Sequence, residues 1–102
     1  MAEKADFTMT KRTATKCRRG IDFSREMETA DTIASVSVTA ADDAGGNVST
    51  NLISTATASG TKALWTFLAW GTVGAVYYVR VAATTTQGDI LVKVVKLTIE
   101  GA

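Results

Sequence analysis

Trp70-Gly71-Thr72-Val73-Gly74-Ala75-Val76-Tyr77-Tyr78-Val79 is the stretch from which the fold can be read. Two glycines three residues apart permit a tight reversal through positive φ. The residues that follow alternate, so that Tyr77, Val79, Val81 and Ala83 share one face of an extended chain. Such period-two alternation marks a half-buried β-strand. The glycine pair is a turn and not a phosphate loop, because no Lys-Ser or Lys-Thr pair follows it and a strand comes next instead of a helix.

Reading outward, Lys62 to Trp70 forms a strand with Trp65, Phe67 and Ala69 on one face and Leu64, Leu68 and Trp70 on the other. A strand apolar on both faces is expected at the centre of a sheet, or with an aromatic turned to a partner. Downstream, Thr86-Gln87-Gly88-Asp89 reads as a hairpin and Ile90 to Glu100 as the last strand. Ile90, Val92 and Val94 share one face of it while Val95, Leu97 and Ile99 share the other, so a β-bulge near Val94-Val95 is expected.

Upstream, Thr32, Ala34, Val36, Val38 and Ala40 mark one face of a strand that ends in the turn Asp42-Asp43-Ala44-Gly45-Gly46-Asn47. A weaker, polar strand follows over Val48 to Thr57, with Val48, Leu52 and Ile53 inward and a turn at Ala58–Thr61. Ser24 to Ala30 is compatible with a helix, but seven residues support only a single turn or a 3₁₀ connector. The expected architecture is all-β: an antiparallel, immunoglobulin-like sandwich of about six to eight strands. Trp65, Phe67, Tyr77, Val79, Val92 and Val94 are its expected core.

A chain of 102 residues makes one domain with a single thin core. Proline is absent, so glycine and asparagine supply the turns. Histidine is also absent, which removes the usual general base near neutral pH and the commonest metal ligand. The one cysteine, Cys17, allows no intrachain disulfide. Flanked by Lys16, Arg18 and Arg19 but lacking a base or a pocket, it is a labelling site and not an enzyme's nucleophile. No enzyme activity, cofactor or metal is expected. Asp42, Asp43 and Asn47 lack the spacing of a calcium loop and suit a turn facing water. No apolar run approaches the length of a membrane span, and Met-Ala-Glu-Lys lacks the apolar core of a signal peptide, so synthesis in the cytoplasm is expected.

Charge is distributed unevenly. Residues 1–20 carry Lys4, Lys11, Arg12, Lys16, Arg18 and Arg19 against Glu3 and Asp6, a net +4, while the remainder is −3 and the whole chain +1. Sparse, non-periodic apolar residues make 1–15 a flexible basic arm and 16–102 the sandwich domain; residues 1 to about 13 are expected to be mobile. With a whole-chain charge near zero, the arm's electrostatic footprint is too small for sequence-specific nucleic-acid recognition. The candidate interface comprises Lys11, Arg12, Arg18 and Arg19 with Trp70, Gly71, Thr72 and Gly74. Trp70 sits beside the turn, opposite in parity to Trp65. An exposed aromatic there marks an interface more often than a catalytic site.

Three motifs together carry a family resemblance: Ile21-Asp22-Phe23-Ser24, Asp31-Thr32-Ile33-Ala34-Ser35, and Gly71-Thr72-Val73-Gly74 followed by Tyr77, Val79, Thr85 and Gly88. Spanning residues from about 16 to 100, the chain resembles the small immunoglobulin-like proteins of tailed bacteriophages described as fibre–tail adaptors. Phe23 stands where that family tends to have Trp, Ala30 where it has Gly, and Trp70 where a further Gly precedes the turn. The resemblance implies a bacteriophage or prophage virion structural protein that joins tail or fibre components by surface contact. Its implied partners are other virion proteins and further copies of itself in the assembled particle. A carbohydrate-binding or adhesion-type module of the same architecture is the alternative.

Overall fold

The computed structural model describes residues 5–27 and 29–101, so expectations for residues 1–4 lie outside the described part. Among the described residues, seven strands run in the order β1 (Phe7–Arg12), β2 (Cys17–Asp22), β3 (Ile33–Asp42), β4 (Ile53–Ser59), β5 (Lys62–Phe67), β6 (Val76–Thr85) and β7 (Ile90–Glu100). A 3₁₀ turn over Ser24–Glu26 joins β2 to β3, the connector expected within Ser24 to Ala30, and the one-turn helix α1 (Ser49–Leu52) stands before β4 where strand was expected from Val48. Among the described residues no helix is long and apolar enough to cross a membrane.

The strands form two sheets, β1-β7-β6-β3 and β2-β5-β4. All pairings are antiparallel except that of β1 with β7. This is the immunoglobulin-like sandwich, with the first strand lying beside the last. The double-sided β5 is the central strand of the smaller sheet. Its inward residues Ala63, Trp65 and Phe67 meet Tyr77, Val79, Val81 and Ala83 of β6 in one core with Phe23 and Leu52. Trp65 and Phe67 pack edge to face, ring centres 5.6 Å apart at 86°, the geometry preferred by aromatic quadrupoles.

Several expectations are corrected. No bulge interrupts β7: its register with β6 is unbroken from Val76↔Thr98 to Thr84↔Ile90. The inner face of β7 is Val95, Leu97 and Ile99, all fully buried. Ile90, Val92 and Val94 take the outer face, where Val92 is 39% exposed and leaves the predicted core. Val94 remains buried there, its N–H donating to Asp6 Oδ2 at 2.8 Å and its carbonyl accepting from the Asp6 N–H at 2.7 Å.

The bulge sits instead in β3, between Ile33 and Ser35. It swaps parity, so Ile33 is buried ahead of Val36, Val38 and Ala40, while Thr32 and Ala34 are exposed. The β5 strand ends at Phe67, and Ala69 is exposed in the connection that follows. Finally, residues 7–12 of the expected arm are strand β1, in register with β7 from Phe7↔Val95 to Arg12↔Glu100. Backbone hydrogen bonds to β7 supply the order that the sparse apolar side chains do not.

Candidate interaction surface

The Gly71–Gly74 turn forms the corner between β5 and β6, held by hydrogen bonds to Tyr77, Ala75 and Ile99. Gly71 and Gly74 have φ of +125° and +84°, the region that favours glycine. A Cβ on Gly71 would also come within 3.0 Å of the Ile99 side chain. The Thr72 N–H donates to the Tyr77 hydroxyl at 3.2 Å, and the Thr72 carbonyl accepts from Ala75 N–H at 2.9 Å. Gly74 N–H donates to the Ile99 carbonyl at 2.8 Å, and Ile99 N–H returns to Ala75 at 3.0 Å. A buried tyrosine at the start of the sixth strand, bonded to backbone five residues upstream, is a tyrosine corner of the kind immunoglobulin-like sandwiches use to fix this connection. The G-T-x-G-x-x-Y pattern is therefore a bracing device first.

What the brace presents is apolar. Val73 lies at the tip, 57% exposed. Trp70 is half-buried, its ring tilted 49° against Tyr77 with centres 5.5 Å apart, so one part of the indole supports the corner and the remainder faces outward. Thr72 and Gly74 are exposed beside it.

Lys11 is drawn to the same corner but does not present its charge. It is 4% exposed, and its Nζ donates to the carbonyls of Arg12 at 2.8 Å, Thr13 at 3.4 Å and Trp70 at 3.2 Å. Burial pushes its pKa below the usual lysine range, partly countered by Cys17. Lys11 thus acts as a tie between β1 and the corner, a role that its basic sequence context concealed. Arg12, next to it, is exposed. Arg18 and Arg19 are exposed on the edge strand β2 of the other sheet, opposite Thr66 and Trp65, with Arg19 also donating to the Arg18 carbonyl at 3.0 Å. The predicted residues accordingly split into a corner group (Trp70, Gly71, Thr72, Gly74, Arg12), a buried tie (Lys11) and an edge pair (Arg18, Arg19). Val73 completes the corner. Its signal was present in the turn motif, which sets Thr72 and Val73 between two positive-φ glycines at the corner.

The other two motifs are clips at the connections. Asp22 Oδ1 accepts from Ser24 N–H and Thr61 Oγ1, both at 2.9 Å, fastening the 3₁₀ turn to the β4–β5 turn. These bonds, that of Ser24 first, hold its carboxyl below the usual range. Asp31 accepts from the Thr86 hydroxyl and from Thr32 N–H, tying the start of β3 to the β6–β7 hairpin. The Thr86 bond is the main reason its carboxyl is also lowered, with desolvation opposing it. Ala30, just before, has φ of +69°; the glycine of the resembling pattern falls where the backbone is left-handed. The acidic turn after β3 is likewise occupied with its own backbone: Asp42 Oδ1 accepts from Ala44 and Gly46 N–H, and Asn47 Oδ1 from Ser49.

No curated protein matches the chain. The family described as podophage GP4 fiber-tail adaptor protein gp77 matches residues 11–98, from the end of β1 through most of β7. That span takes in all three motifs, the tyrosine corner and both sheets, and the chain belongs to this family of phage fibre–tail adaptors.

Proposed function

We propose that this protein is a virion component that joins tail and fibre proteins by protein–protein contact, with the β5–β6 corner as its principal docking point. The observation that carries the reading is the exposed Val73 and the half-buried Trp70 set on a corner whose backbone is fixed by Tyr77, Ile99 and the Lys11 tie. A tip already held in one conformation loses little entropy on docking, so more of its apolar contact appears as affinity. Arg12 beside the corner, and Arg18 and Arg19 on the β2 edge, supply a positive margin that steers an acidic partner surface. Many copies in a symmetric particle turn modest contacts into firm attachment. No substrate is turned over.

The test is binding of purified protein to isolated tail particles, wild type against Val73→Asp. Val73 is largely exposed, so the fold survives the change. Central interface residues are worth about 2 kcal/mol or more, so affinity should fall by about 30-fold. Unchanged affinity at an unchanged far-UV spectrum removes the corner from the interface.

A further inference from the structure

Strand β1 is attached to the sandwich more thinly than any other strand of its sheet. It makes the one parallel pairing, and parallel ladders are somewhat weaker per residue than antiparallel ones. Of its six side chains, Met9 is half-buried and Lys11 buried; Phe7, Thr8, Thr10 and Arg12 are exposed. Its one buried side chain is a cation held by backbone carbonyls, and its contribution to the apolar core is the partly buried Met9.

The connection to β2 is short. Thr13-Ala14-Thr15-Lys16 carries the chain from one sheet to the other, closed by the Thr15 N–H donating to the Arg12 carbonyl at 3.1 Å. Neither glycine nor proline eases that reversal, and Thr13 and Thr15 are β-branched residues that favour extended backbone. A short, tight hinge between a terminal strand and the body of a domain is the arrangement that favours strand swapping.

From these features we propose that β1 exchanges between copies: the hinge over residues 13–16 straightens, and β1 of one chain occupies the β7 edge of a second copy in the same Phe7↔Val95 to Arg12↔Glu100 register. Closed and exchanged forms contain the same strand contacts, so the balance is set by relief of the hinge and by protein concentration. The Lys11 tie then forms between chains and carries β1 of one copy to the Trp70 corner of the next. This link is separate from docking at Val73, and either can fail while the other stands.

The experiment places pyrene labels at Thr8→Cys and Lys96→Cys in a Cys17→Ser background. Both positions are exposed and directly opposite across the β1–β7 pairing, so a doubly labelled closed chain gives excimer emission. Incubated at high concentration with a large excess of unlabelled protein, that chain should lose most of its excimer signal. A mixture of chains labelled only at 8 with chains labelled only at 96 should gain one. Retention of the excimer in the first arm overturns the proposal, because β1 has stayed on its own chain. Loss in the first arm without gain in the second also overturns it, because β1 has then detached without being captured.

Discussion

Replacing Ala30 by glycine should stabilise this domain. Ala30 has φ of +69°, where an L-residue with a Cβ is strained by roughly 1–2 kcal/mol against its own carbonyl. Glycine removes that strain but loses more backbone freedom on folding, which costs about 0.5–1 kcal/mol. The side chain is exposed, so no buried area is forfeited. The balance is a gain of about 0.5–1 kcal/mol. For a domain near this size, that raises Tm by roughly 2–8 °C. Urea unfolding is the assay: the midpoint should move up with the slope unchanged, because the surface exposed on unfolding is the same. A midpoint that stays put or falls would mean that the connection before β3 does not hold the left-handed conformation, and would refute the reasoning.

Other substitutions test the remaining structure. Gly71→Ala applies the same physics with the opposite sign, since it adds a Cβ 3.0 Å from Ile99 at φ of +125°; stability should fall by about 1–3 kcal/mol, read in the same titration. Trp65→Ala should cost about 3–5 kcal/mol, enough to unfold much of the protein at 37 °C, whereas Val92→Ala on the outer face should cost well under half of that. Asp22 and Asp31 both have carboxyls lowered in the fold. The unfolded chain therefore binds their protons more tightly, so their contribution is complete above the ordinary carboxylate pKa and disappears as pH falls through the folded values; Asp31→Asn should flatten the acid limb of a stability–pH profile. In hydrogen exchange, the amides of β1 should open ahead of those in β6, and equal protection would contradict the thin attachment of β1.

Much of the architecture was legible because alternation and turn chemistry agree locally. In β6, Tyr77, Val79, Val81 and Ala83 are buried as period two requires, and Gly71 and Gly74 take the positive φ that makes them glycines. The last strand was legible as a strand but not in its facing. Both of its residue sets are apolar, and the choice between them is made by β6 and β1 on either side. The β3 bulge was hidden for a similar reason, because Ala34 and Ser35 fit either side of a sheet. At the interaction surface, the turn motif located the corner, while Lys11 was misleading. A cation in a basic stretch reads as solvated, and only the distant carbonyl of Trp70 gives it a reason to be inside.

The central claim, attachment of tail and fibre components by contact, is tested most directly by the composition of virions assembled without this protein. Particles from a phage lacking the gene, purified and analysed for each tail and fibre protein, should be missing at least one such component and infect poorly, with both defects repaired by supplying the wild-type chain. Particles that retain every tail and fibre component and infect normally would contradict the account.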